Sequence, residues 1–253
     1  MGDCNPTATP MEARLKLSKK GNGKAVDPTL YRSTVGGLRY LVHTRPDICF
    51  AVSYLSKFME APTSEHWSAV KPLLHYIAGT RKLGCVYTRQ DEEARLVGYS
   101  DADWAGDIDD RKSTSGMLFY YGSCPISWQA TKQKIVVLST CEAEYVAATG
   151  AACQGIWLKR LLGELLGRDG GITELRVDNK SVIALARNPV FHDRSKHIQI
   201  RYHFIRQCVE NGDIDIQSVR TDGQLSDNMT KALGRVRFQE LRQHIGMVKV
   251  KEN

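Results

Sequence analysis

The chain has 253 residues, 42% of them hydrophobic, and a net charge of +7, enough apolar material for one large domain or two ordinary ones. No apolar run approaches the roughly 20 residues that span a bilayer, and Met1-Gly2-Asp3-Cys4 lacks the basic-then-apolar order of a signal peptide, so a soluble intracellular protein without membrane contact is expected. The seven cysteines contain no C-x-x-C pair, which argues against a zinc or redox motif and for reduced thiols.

In chain order, residues 1–26 mix Pro6, Pro10, Gly21 and Gly23 with Lys16, Lys19, Lys20 and Lys24 and read as a flexible leader. Residues 1–90 carry 13 Lys and Arg against 6 Asp and Glu, while residues 91–253 carry 22 of each. That imbalance suits a polyanionic partner for the first part, against the plainer reading of a surface charged for solubility. From Asp27-Pro28 the pattern turns helical, with Leu30, Val35, Leu38, Leu41 and Val42 at helical spacing. A second helix is predicted from Pro46 to about Met59, and a third from Pro62-Thr63 to about Gly79. Residues 27–90 thus form a helical module.

The period then changes to alternation. Strands are predicted over Leu83–Thr88, Leu96–Ala102, Ser115–Tyr121 and Pro125–Ala130, with Gly122-Ser123 turning the last two into a hairpin. Three of them should form an antiparallel meander. Ser139 opens a long helix that runs to Leu166 and stops at Gly167. A strand at Ile172–Val177, helices at Lys180–Arg187 and Ile198–Glu210, a strand at Asp213–Val219 and two short helical segments complete residues 91–245, with 246–253 as a tail. This order predicts an α/β fold: a mixed sheet with helices on its faces.

Four carboxylates stand out. Asp101 ends one long strand and Asp178 another, and the carboxyl ends of parallel strands are where open α/β sheets bind ligands. Asp103 lies on the same strand face as Asp101 and competes with it. On a helical wheel, Glu144 falls on the apolar stripe of Ala147, Ala151, Leu158, Leu162 and Leu165, while Glu142 points to solvent; a carboxylate on that stripe needs a cation or hydrogen bonds to compensate it. Asp178 and Asp227 each stand ahead of a predicted helix, so each also reads as an N-cap. His192, His197 and His203 are spaced by five and six, unlike an i, i+4 zinc pair.

Several longer motifs resemble one family. Tyr31-Arg32-Ser33, Gly36-Gly37-Leu38-Arg39-Tyr40-Leu41, Thr44-Arg45-Pro46-Asp47-Ile48, His66-Trp67 and Ala78-Gly79-Thr80 resemble the thumb and connection region behind the polymerase core in copia-type retrotransposon reverse transcriptases. Tyr99 to Asp107, Arg111 to Gly116, Ile126 to Gln129, Ser139 to Ala147, Asp178-Asn179, Lys196-His197-Ile198, Arg201-Tyr202-His203 and Asp227 with Thr230 to Leu233 resemble that family's ribonuclease H domain.

The resemblance implies a ribonuclease H-like five-stranded mixed sheet flanked by helices, preceded by a small helical module. It implies metal-dependent, endonucleolytic hydrolysis of the RNA strand of RNA:DNA hybrids. Asp101, Glu144, Asp178 and Asp227 would be both the catalytic set and the ligands of two Mg²⁺ ions, with Mn²⁺ as a substitute. Hybrid contacts would come from Lys112, Ser113, Thr114, Asn179, Arg194, Lys196, His197 and Arg201; Lys112 to Ser115 read equally well as an ordinary polar turn, and the basic segment from Arg194 also as a solvated helix face. The polymerase part of a reverse transcriptase is a further implied partner, and a cytoplasmic virus-like particle or the nucleus the implied location. Residues upstream of Asp27 are too few for polymerase fingers and palm, so DNA synthesis is not expected. Val219 to Ser226 lacks the loop histidine of many ribonucleases H, which leaves a catalytically weak nucleic-acid-binding remnant as the alternative.

Overall fold

A computed structural model describes residues 5–90, 93–187 and 199–250. Two compact units divide the chain: Met1–Tyr87 with Asp107–Arg111 and Lys231–Asn253, and Thr88–Gly106 with Lys112–Thr230.

The first unit is built on three helices, α1 (Pro28–Leu41), α2 (Cys49–Leu55) and α3 (Ser64–Gly79). Asp27 caps α1, its Oδ1 accepting the Thr29 N–H at 2.9 Å, with Pro28 in the first turn, as its sequence predicts. Tyr31, Val35, Ile48, Leu55, Val70, Leu73 and Tyr76 are fully buried and form the core. Inside it Arg45 grips Asp47 through two bonds of 2.8 and 2.7 Å, and the Tyr76 hydroxyl donates to Asp47 at 2.6 Å. Arg45 also donates to the carbonyl and hydroxyl of Thr80. The Arg-Pro-Asp and Ala-Gly-Thr motifs are therefore structural: a bidentate pair that satisfies its own buried charge.

Two expectations are corrected in this unit. The leader is not loose throughout. Met11 and Leu17 are buried in the helical core, the Leu17 N–H donates to the Tyr54 hydroxyl at 2.8 Å, and His66 Nε2 lies 2.9 Å from the Ser18 carbonyl oxygen. The C-terminal segment is not an extension of the second unit. Helix α7 (Arg235–His244) sets Phe238 edge-on to Tyr76 at 5.6 Å, and Arg242 donates to the Tyr76 hydroxyl at 3.1 Å. Strand β7 (Met247–Lys249) then pairs antiparallel with β1 (Leu83–Cys85). The predicted strand 83–88 thus shrinks to three residues outside the main sheet.

The second unit holds that sheet. β2 (Leu96–Ala102), β3 (Thr114–Tyr121) and β4 (Cys124–Lys132) form the expected antiparallel meander, and β5 (Thr173–Val177) and β6 (Ile214–Ser218) add parallel to β2 in the order β4-β3-β2-β5-β6. This is the five-stranded mixed sheet of a ribonuclease H-like fold. Helix α4 (Thr140–Leu166) starts at the Ser139 cap and stops at Gly167, whose φ of 64° is the left-handed conformation glycine adopts without cost. Its small residues Ala148, Ala151 and Ala152 lie in one core with Leu96, Phe119, Leu175, Ile214 and Ile216, joined by Val182 and Ala186 of α5 (Lys180–Arg187) and Ile205 of α6 (Gln199–Glu210). Each large side chain so buried contributes on the order of 1.5–3 kcal/mol. The stripe ends early, with Leu165 72% exposed. Among the described residues no helix is long and apolar enough to cross a membrane.

Candidate active site

β2 and β5 run parallel with Tyr99 beside Arg176. Two residues further on stand Asp101, in β2, and Asp178, just past the end of β5, so the register brings both carboxylates to the same edge of the sheet. Glu144, near the start of α4, completes a trio in which one carboxylate oxygen from each residue lies within 4.8 Å of the other two. Asp101 is 2% and Glu144 8% exposed.

The electrostatics of this trio follow from burial. The Glu144 carboxyl accepts the Ala102 backbone N–H and is hydrogen-bonded to Asp101, yet burial first, and then the charges of Asp101 and Asp178, push its pKa up to about 9. It therefore holds a proton at neutral pH while no cation is near. Its Oε2 is buried without a hydrogen-bond partner. Carboxylates drawn this close, with one buried oxygen unsatisfied, fit a divalent cation that takes oxygen ligands.

Asp103 is resolved against. It follows the end of β2, and its carboxylate accepts the Thr114 backbone N–H within the turn, so Asp101 is the member of the trio. The cap reading of Asp178 is also corrected, because Asn179 caps α5: its Oδ1 accepts the N–H groups of Ser181 and Val182 at 2.9 and 3.3 Å. Glu142 does not point to solvent. Its carboxylate folds back to accept the Leu138 N–H at 2.7 Å, and it is buried.

Asp227 lies outside the tight trio. It is 4% exposed and sits inside the short 3₁₀ helix Leu225–Met229, where Gln224, not Asp227, holds the N-cap position. That helix is fixed to the sheet. Gln224 Nε2 donates to the Ser100 carbonyl at 2.9 Å, and Ser226 donates to Gln224 Oε1 at 2.8 Å. Thr230, fully buried, donates its hydroxyl hydrogen bond to Asp101 Oδ2, and the Thr230 Oγ1 is also 3.2 Å from the Asp227 carbonyl oxygen. Gly116, the β3 partner of Asp101, makes room: a Cβ there would stand 2.7 Å from Met229 Cβ and Thr230 Cγ2 and 3.0 Å from the Ser226 carbonyl oxygen. Sequence reasoning missed Gln224, Thr230 and Gly116 as supports; the only local signal was Thr230 three residues after Asp227.

Among the nucleic-acid candidates, Ser113 is fully buried and its hydroxyl accepts the Ala105 N–H at 3.1 Å, so the polar-turn reading holds for it; Thr114 is buried beside it. Lys112 is half-buried. Arg194, Lys196, His197 and the side chain of Arg201 lie outside the described residues, as do His192 and the His203 side chain. Trp104, beyond Asp103, is 53% exposed.

No protein-family model matches the chain. It is 45% identical over 245 residues to the retrovirus-related Pol polyprotein from transposon RE2 of Arabidopsis thaliana, a match covering 97% of this chain and 17% of that protein. It is 42% identical over 257 residues to the corresponding polyprotein from transposon TNT 1-94 of Nicotiana tabacum, covering 98% of this chain and 19% of that one. The chain thus spans less than a fifth of these relatives. Among solved structures, the N-terminal RNase H domain of Rv2228c from Mycobacterium tuberculosis is similar at a TM-score of 0.41 and 13% identity, covering 60% of this chain and 98% of that one. Strand order and connections, rather than that score, define the fold here.

Proposed function

Because the chain belongs to the retrovirus-related Pol polyproteins of copia-type transposons, we propose that it acts as a ribonuclease H, hydrolysing the RNA strand of an RNA:DNA hybrid with divalent cations held by Asp101, Glu144, Asp178 and Asp227. The observation that carries this reading is the close trio of Asp101, Glu144 and Asp178, the first two buried and Asp178 half-buried, with the unpartnered Glu144 Oε2 among its oxygens.

In this reading Asp101 and Asp178, at the ends of neighbouring parallel strands, present acceptor oxygens from a rigid edge. Glu144 would give up its proton to a bound cation, whose positive charge would offset the burial and the repulsion that hold the proton there. Asp227 joins from the 3₁₀ helix that Gln224 and Thr230 anchor. Mg²⁺, or Mn²⁺ in its place, would activate the attacking water and support the leaving 3′ oxygen. Lys112 and the basic segment from Arg194 to Arg201 contact phosphates and set the position of the duplex, as such residues do without reading sequence. Asn179 serves the site by capping α5 behind Asp178.

The test is a substrate panel: the purified chain with labelled RNA:DNA, RNA:RNA and DNA:DNA duplexes, in Mg²⁺ or EDTA. Cleavage of the RNA strand of the hybrid alone, lost in EDTA, is expected. Binding of the hybrid without turnover in Mg²⁺ would replace this reading with the binding remnant.

A further inference from the structure

We infer that Thr230 is a positioning residue for this site, its hydroxyl setting the orientation of the Asp101 carboxylate and tying it to the turn that carries Asp227; the inference rests on the functional reading above. An aspartate carboxylate turns about a terminal torsion with a broad, shallow energy profile, so its orientation is set by what it bonds to. Asp101 stands against Glu144 and Asp178, so a turn of its carboxylate would change which oxygen it presents to them.

Thr230 opposes that. Its hydroxyl has one proton and faces two acceptors, Asp101 Oδ2 and the Asp227 carbonyl oxygen. A carboxylate is the stronger acceptor, so the proton goes to Asp101 and holds one of its two oxygens, leaving the other for the cluster. The residue can do this only because its own backbone is fixed. The preceding 3₁₀ helix is clamped by Gln224 to Ser100, the residue before Asp101, and lies against Gly116, the β-partner of Asp101. Residues 129 positions apart in sequence are thereby held in one frame. Carboxylates that ligate metals are commonly oriented by such partners, and losing the partner costs about 10- to 100-fold in metal affinity.

The experiment is a calorimetric Mg²⁺ titration of the full chain and of Thr230→Ser, Thr230→Val and Thr230→Ala, alongside the Mg²⁺ dependence of hybrid cleavage. Ser keeps the hydroxyl; Val keeps the shape without it; Ala lacks both and keeps the test available if Val does not fold. Thr230→Ser should bind Mg²⁺ within about twofold of wild type, while Val and Ala weaken it about tenfold or more. The half-saturating Mg²⁺ for cleavage should move in parallel, with kcat at saturating Mg²⁺ falling less. Wild-type affinity in Val and Ala, in a chain that binds Mg²⁺ and cleaves hybrid, overturns the role of Thr230 alone, as does a Ser variant as weak as Val. A wild-type chain that neither binds Mg²⁺ nor cleaves hybrid overturns the functional reading and this inference together.

Discussion

The carboxyl of Glu144 is hydrogen-bonded to that of Asp101, and both side chains are buried. Burial and the two neighbouring aspartates raise Glu144 from an ordinary 4.5 to about 9. Below 4.5 folded and unfolded chains both carry the proton. As pH rises from there to about 9, the unfolded chain ionises while the folded one does not, so stability is lost across that window. The metal-free protein should therefore melt at a lower temperature at pH 8 than at pH 5. Glu144→Gln should flatten that dependence, preserve or raise the melting temperature at pH 8, and lose cleavage. A clear drop in melting temperature without metal would mean that Glu144 is a structural hydrogen-bonding group.

At Gly116 the 3₁₀ helix of Asp227 lies close against the sheet. Gly116→Ala places a methyl against Met229 Cβ and the Ser226 carbonyl oxygen, which cannot swing aside, and against Thr230 Cγ2, which costs about 1–3 kcal/mol. The same push should separate Thr230 from Asp101, so metal affinity and stability fall together. Denaturant unfolding with and without Mg²⁺ checks this; wild-type values in both would show that the turn yields freely.

Asp47 sits in the first unit, bonded by both Arg45 and Tyr76 and fully desolvated. Asp47→Ala leaves the Arg45 guanidinium buried without its counter-ion, a loss of about 3–5 kcal/mol. Chemical denaturation of wild type and variant measures it. A change under 1 kcal/mol would show that water reaches Arg45 readily.

Much of this was legible in local sequence. Ser139 and Gly167 mark the ends of α4 because capping and left-handed stops act within one turn, and Asp101 and Asp178 were traceable to parallel strand ends by element order. Three features were not. Met11 and Leu17 are isolated apolar residues with no period to reveal that they are buried. Phe238 packs on Tyr76, and nothing near Phe238 says which unit will receive it. Glu142 defeats the helical wheel, which projects every side chain outward, because its carboxylate bends back to a backbone N–H ahead of the helix.

The basic excess of residues 1–90 gives a salt-dependence prediction. Deleting those residues would strip α7 and β7 of the core they complete, so exposed lysines are changed in the full chain: Lys16, Lys20 and Lys24 to Ala together. Hybrid affinity should fall less steeply with salt, by about one unit of log-log slope for each phosphate contact removed. An unchanged slope would identify these lysines as solvated surface.

Asp178 separates the metal-ligand role from the capping role most directly. Asn179 supplies the α5 cap, so Asp178→Asn removes a charge from the cluster while sparing the helix start. Hybrid cleavage by the purified variant in Mg²⁺, measured beside its circular dichroism and melting curve, should fall at least 100-fold, on the order of the loss of one essential ligand or catalytic group, with folding intact. Cleavage within about threefold of wild type, against that 100-fold expectation, would contradict the assignment of these carboxylates as the hydrolytic metal site.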